Sequence, residues 1–279
     1  MKLRDIIKTD NIIRLAPSES LSTAFSKLSS SHDAAFIFKD DQLLGLVNPY
    51  HCIIKTSHPL NAKIADFLFH PPHIYINDSI AKVVEKMNYT RLHYLPVFNE
   101  KNDFAGIISA RRLLKTFAYL PIFHHSLGEV IKAKSRVLVT IAEDETLAIA
   151  LALLRLEKVS KLVVVNRHNR LCGLLSQYDL VSFLIAPEAK EIIKERKKRL
   201  ANIYNYRVKK IARKFVLTLT EKNTLSQALQ LILIKRIGSV VVLNEKKYPV
   251  GIITSRDCLQ LLRRHEPEKI IYLQWKFAS

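Results

Sequence analysis

Four of the six glycines in this 279-residue chain stand in one recurring context: a glycine, two apolar residues and a short polar stretch. The fullest copy is Gly251-Ile-Ile-Thr-Ser-Arg-Asp257, matched closely by Gly173-Leu-Leu-Ser-Gln-Tyr-Asp179. Looser copies are Gly106-Ile-Ile-Ser-Ala-Arg-Arg112 and Gly45-Leu-Val-Asn-Pro-Tyr-His51. A residue this scarce, placed four times at one position, marks a backbone constraint repeated in four structural units.

Aligning the glycines brings their flanks into register. In the third unit Val139-Thr140-Ile141 alternates as a short strand, and Asp144 and Thr146 lead into the helical composition of residues 147–154. Lys161-Leu162-Val163-Val164-Val165 is a β-branched run of strand length, followed by turn residues 166–170 and a second strand from Leu171 to Leu175. Ser176 then opens a final helix from Gln177 to about Ala186. The fourth unit repeats this order without insertion: Thr218 stands to Thr140, Leu225 to Leu147 and Val241 to Val163 as Gly251 stands to Gly173. The second unit follows through Ile80, the strand Tyr94–Phe98 and Gly106. The first, with its helix opening at Leu21 and a strand at Ala35–Phe38, is shorter at its turn and the most degraded.

Each unit therefore reads strand, helix, strand, strand, helix in roughly 60 residues, too few to bury much apolar surface alone. An α+β fold of four such units follows, with units joined sheet against sheet in two pairs. The expected boundaries are residues 1–122 for the first pair, 123–265 for the second with a basic linker at 187–206, and a C-terminal tail at 266–279.

This arrangement resembles the CBS-domain family, with four CBS motifs paired into two Bateman modules over nearly the whole chain. The most specific element is the family's glycine–apolar–apolar–Ser/Thr–x–x–Asp signature at Gly173–Asp179 and Gly251–Asp257, supported by Pro96-Val97 and by Thr140 and Thr218. The resemblance implies a standalone, non-catalytic regulatory protein that binds AMP, ADP, ATP or S-adenosylmethionine in clefts between paired motifs. It implies Asp179 and Asp257 as ribose ligands, Ser176 and Thr254 as their polar neighbours, and Thr140 and Thr218 as further pocket members. The chemistry suits that use. A carboxylate accepts hydrogen bonds from two vicinal hydroxyls. A helix start offers N–H groups to phosphate, and Gly173 and Gly251 allow close backbone approach. Lys161 and Arg256 are candidate phosphate contacts. A structural reading stands beside this one: Ser176-x-x-Asp179 and Thr254-x-x-Asp257 also resemble capping boxes, which account for every signature residue except the glycine.

The first pair departs from the signature. Asn48 and His51 take the Ser/Thr and Asp positions of unit one, and unit two keeps Ser109 but carries Arg112. A guanidinium cannot accept from ribose hydroxyls, so both ribose sites are expected to be lost. Arg14 and His73 replace the two threonines and make those clefts more basic. Arg111 and Arg112 are candidate phosphate contacts or members of a solvated helix face.

A formal net charge of +19 favours anionic partners. From Lys190 to Lys214 there are eleven Lys or Arg against two acids, interspersed with Ile192, Ile193, Leu200, Ile203, Val208 and Ile211 at helical spacing. Arg196, Lys197, Lys198, Arg199, Lys209 and Lys210 are the candidate nucleic-acid contacts, against a solvated helix that packs its apolar face. Three widely spaced cysteines and ten histidines show no disulfide framework, no metal-ligand spacing and no catalytic pattern. No window approaches 18 uncharged apolar residues, so a non-membrane, cytoplasmic protein is expected. The expected partners are a small-molecule nucleotide, a second copy of the chain and a regulated protein. One such arrangement is a scaffold like the gamma subunit of AMP-activated protein kinase, which also carries four CBS motifs.

Overall fold

Threonine and serine start most of the helices that the repeats dictate. Ser79, Ser109, Ser126, Thr146, Ser176 and Thr224 each accept a hydrogen bond from the backbone N–H three residues on, which satisfies one of the orphan donors of a helix start. The computed structural model describes residues 3–28, 34–55, 60–134, 136–186 and 205–264. Unit one comprises β1 (Arg14–Leu15), α1 (Leu21–Leu28), β2 (Ala35–Lys39), β3 (Gln42–Val47) and a π-helical segment, Tyr50–Lys55. Unit two comprises β4 (Ile74–Tyr75), α2 (Ile80–Thr90), β5 (Tyr94–Phe98), β6 (Phe104–Ser109) and α3 (Ala110–Phe117). After α4 (Leu127–Lys132), unit three runs β7 (Thr140–Ala142), α5 (Leu147–Leu156), β8 (Lys161–Val165), β9 (Leu171–Ser176) and α6 (Gln177–Ile185). Unit four runs β10 (Thr218–Thr220), α7 (Leu225–Ile234), β11 (Ser239–Leu243), β12 (Pro249–Thr254) and α8 (Ser255–Arg264).

Each unit forms a three-stranded sheet in which the first two strands are parallel across the helix and the last two antiparallel. The repeat glycine occupies the same register place every time: Gly45 faces Ile37, Gly106 faces Val97, Gly173 faces Val164 and Gly251 faces Val242. In all four sheets the register shifts immediately beyond that pair, so each hairpin bends at its glycine.

Sheets and helices make different contacts. Phe36, Phe38 and Leu46 of unit one share a core with Val97, Ile107 and Ile108 of unit two, while Val163 and Val165 of unit three meet Val241 of unit four. The helices instead pair across: α1 packs on α6, α2 and α3 pack on α8, and α3 also touches α7. Units one and three therefore meet through helices, as do two and four, and the four units close a ring of contacts.

Two local expectations change. The last helix of unit one is the π-helical segment, opened by Pro49. The described part of the basic stretch is a turn and a short 3-10 helix, Val208–Lys210, rather than a continuing amphipathic helix. Val208 is fully buried there, Ile211 and Ala212 pack on the same core, and the rings of Tyr206 and Phe183 stack 5.0 Å apart. In the described part, Val208, Ile211 and Ala212 are taken up by this local packing. Residues 187–204, with Arg196, Lys197, Lys198 and Arg199, and the tail from 265 onward lie outside the described residues. Among the described residues no helix is long and apolar enough to cross a membrane.

Candidate functional site

The repeat glycines face the lead-in segment of the partner unit. A Cβ on Gly106 would lie 2.6 Å from the carbonyl oxygen of Lys8, and Gly106 also has a φ of +147°. Lys8 bridges Ile107 through hydrogen bonds of 2.8 Å in each direction. The same antiparallel bridge joins Leu46 to Phe69 and Leu174 to Arg213, each one residue past a repeat glycine. In unit four, Ile131 and Lys134 approach Gly251 and Ile252, and Lys134 Nζ donates to the Ile252 carbonyl at 2.6 Å. The close approach read from the sequence is therefore made by the chain itself, and it accounts for the residue that a capping box leaves unexplained.

This crossing brings the first strand of unit three close to the start of β12 in unit four. A cavity of about 480 Å³ lies between units three and four, lined by Ile131, Lys134, Arg136, Val137, Thr140 and Pro249, among others. That volume lies within the range of small-ligand pockets. Lys134 connects the cavity to the signature: its Nζ lies 2.9 Å from Asp257 Oδ2. The same oxygen accepts from Thr254 N at 2.7 Å and Thr254 Oγ1 at 2.8 Å. Asp257 Oδ1 has no hydrogen-bond partner among the described residues.

Asp179 is arranged differently. Its Oδ2 accepts from Ser176 N at 2.8 Å and Ser176 Oγ at 2.5 Å, while Ser176 Oγ also accepts from Asp179 N, a complete capping box. Its Oδ1 accepts from Arg213 Nε at 2.5 Å. Arg213 belongs to the segment leading to Thr218, which begins β10 and is exposed.

Lys161 stands between the two signatures. It pairs with Ser176 across β8 and β9, and a Cβ on Gly238 of unit four would lie 2.8 Å from its Nζ. Burial drives its pKa down from 10.5 to about 8, opposed by the field of Asp179 and, more weakly, Asp257, while Arg256 and Arg213 push the same way as burial. Ser239 holds the corresponding place in unit four, and its buried Oγ has no partner among the described residues.

In the first pair, side chains of the chain fill the corresponding places. Arg14, at the position of Thr140, lies 4.4 Å over the Phe38 ring and 5.6 Å from that of Phe104. His73, at the position of Thr218, stacks on Phe98 at 4.3 Å. His51, in place of the carboxylate, stacks on Phe69 at 4.0 Å, and its Nε2 lies 3.1 Å from the Thr90 carbonyl oxygen. Arg111 is engaged by carbonyls of unit four. Its guanidinium donates to the carbonyls of Ile232, Leu233 and Ile237 at the C-terminal end of α7, where the helix dipole favours a cation. Arg112 is exposed, and its backbone N–H donates to the Ser109 cap. Lys209 is ion-paired with Asp144 at 2.6 Å.

Composition and spacing did not single out four residues at or near this site. Lys134 and Arg213 neutralise the two carboxylates, and Val137 and Phe215 stand fully exposed just ahead of β7 and β10. For Val137 and Phe215 the signal available in the sequence was an apolar residue three positions before each threonine.

Comparison with known proteins bears on the whole fold. The protein-family profile "CBS domain" matches residues 64–119, 128–186 and 208–264, more than half of the chain, and leaves out the degraded first unit that nonetheless repeats the fold. An uncharacterised protein of Methanocaldococcus jannaschii is 29% identical over 133 residues, 47% of each chain. A 33.4 kDa protein encoded in a ribosomal RNA operon of Thermofilum pendens is 24% identical over 196 residues, 70% of this chain and 63% of its own. The chain thus spans about half to two thirds of the length of these relatives. The crystal structure of the M. jannaschii protein, described as a proposed archaeal homologue of g-AMPK, superposes with a TM-score of 0.81 at 16% identity, over 93% of this chain and 99% of that one. With three profile matches, a fourth unit of the same topology and a shared fold across nearly the full length, the chain belongs to the CBS-domain family.

Proposed function

We propose that this protein is a non-catalytic sensor that binds an adenosine-containing ligand, one of AMP, ADP, ATP or S-adenosylmethionine, in the cleft between units three and four that ends at Asp257. The observation that carries the reading is Asp257 Oδ1, a signature carboxylate oxygen with no partner among the described residues, on a carboxylate whose other oxygen is held by Lys134, which lines a cavity of about 480 Å³. Thr254 and Lys134 hold the other oxygen and so orient the carboxylate for a ribose diol. Val137, Leu138, Pro249 and Val250 offer an apolar wall to a purine, and Lys134 and Arg136 offer positive charge to phosphates.

Regulation follows from where these groups originate. Lys134 and Thr140 belong to the lead-in and first strand of unit three, whereas Asp257 belongs to unit four. A ligand held by both would stabilise one relative placement of the units and favour the partner surface that goes with it.

Titration calorimetry with AMP, ATP and S-adenosylmethionine tests the reading on the wild type, Asp257→Asn and Asp179→Asn. Loss of a charge-assisted hydrogen bond in Asp257→Asn should weaken binding by at least ~30-fold, while Asp179→Asn stays near wild type. Equal affinity in the wild type and Asp257→Asn overturns it. Affinity for RNA or DNA that falls steeply with salt, without nucleotide binding, would move the protein to the nucleic-acid class instead.

A further inference from the structure

We infer that Arg213 is an internal occupant of the second cleft, so that the pair formed by units three and four takes one adenosine-type ligand rather than two. The inference rests on the reading of the Asp257 cleft given above and goes beyond it by separating two signatures that the sequence makes equivalent.

The separation is geometric. At Asp257 both the capping interactions and the lysine fall on Oδ2, so one oxygen stays open toward ligand. At Asp179 the cap takes Oδ2 and the guanidinium takes Oδ1, so both oxygens of a carboxylate only 8% exposed are engaged. A ribose diol needs the oxygen that Arg213 holds.

Several contacts keep Arg213 in that place. Its backbone exchanges two hydrogen bonds of 3.0 Å with Leu174, one residue past the repeat glycine. A Cβ on Gly173 would come within 3.1 Å of its carbonyl oxygen. The preceding residues Val208, Ile211 and Ala212 are packed into a core. The Arg213 side chain as a whole is largely exposed, so it is tethered at the backbone and held at its far end by Asp179 alone among the described residues. A ligand entering this cleft must first separate an ion pair whose carboxylate is buried, which lowers its apparent affinity by the fraction of time the pair is open.

The test counts ligands. The full chain is titrated with AMP by calorimetry as wild type, Arg213→Ala, Arg213→Gln and Arg213→Ala/Asp179→Asn, with thermal melts confirming that each is folded. The expected result is one site in the wild type and a second in Arg213→Ala, with at least ~tenfold tighter binding at the opened cleft than in the wild type. Arg213→Gln, which removes the charge while keeping a donor, should open it to a similar or smaller degree, and the added Asp179→Asn should remove the second site again. A gain from no site to one in Arg213→Ala would keep Arg213 as the occupant while overturning the Asp257 reading. The same number of sites in the wild type and in both single Arg213 variants overturns the inference, as does a second site that survives Asp179→Asn.

Discussion

In the second pair Thr140 borders a cavity of about 480 Å³ that Pro249 also lines. At the same two positions in the first pair stand Arg14 and Phe104, with the guanidinium 5.6 Å from the Phe104 ring and 4.4 Å over Phe38. The backbone plan is common to both: four sheets of one topology, each bent at a glycine beside a partner segment. What differs is whether the cleft is completed from inside. An arginine seated on aromatic rings stabilises the fold by about 0.5–2 kcal/mol whether or not a ligand is present. The cavity beside Thr140 lacks that contribution. In the first pair the arginine and the rings satisfy one another, whereas in the second Thr140 and Pro249 face a cavity.

If the glycine serves the fold and not the ligand, it must matter in the pair whose signature lacks the carboxylate, where His51 and Arg112 stand in its place. Gly106→Ala combines a φ of +147° with a Cβ 2.6 Å from the Lys8 carbonyl oxygen, against backbone that cannot swing aside as a side chain would. It should destabilise the chain by about 3 kcal/mol or more, read as a lowered midpoint in urea unfolding. A loss below about 1 kcal/mol would break the comparison, because the shared glycine would then lack a shared cause.

A smaller effect distinguishes the pairs by pH. Lys161 belongs to the second pair, and burial lowers its pKa from 10.5 to about 8. The amine is charged below that value and neutral above it. Affinity for AMP should therefore fall roughly three- to tenfold from pH 7 to pH 9.5 as the charge is lost, and Lys161→Met should flatten the profile. Stability runs the other way. The unfolded chain keeps the proton up to the ordinary lysine range, so this residue makes the folded state gain stability between about pH 8 and 10.5, with no contribution to the slope below about pH 8. A falling stability across that window in the wild type relative to Lys161→Met would contradict the placement of the amine.

Much of the fold was legible because its signals are local. The strands Tyr94–Phe98 and Lys161–Val165 and the starts of α5 and α7 at Leu147 and Leu225 fall where the register of the repeats puts them. The site was legible only in part. Periodicity within a unit reveals which residues share a face, yet it carries no information about which foreign segment lies opposite. Lys134 and Arg213 reach the carboxylates from lead-in segments of the partner units, and nothing in their own neighbourhoods marks them out. Arg111 shows the reverse case. Its spacing places it correctly on α3, but its target, the end of α7, lies in a unit that packs through helices rather than sheets.

The central claim is that ligand chemistry survives in the second pair alone, and hydrogen exchange with and without AMP addresses it most directly. Bound ligand should slow exchange in residues 134, 136–142 and 249–257, which carry Lys134, Thr140 and the Asp257 signature, and leave 8–15 and 104–112 unchanged. Protection confined to 8–15, 45–51 and 104–112, around Arg14, His51 and Phe104, would place the ligand in the first pair and contradict the account.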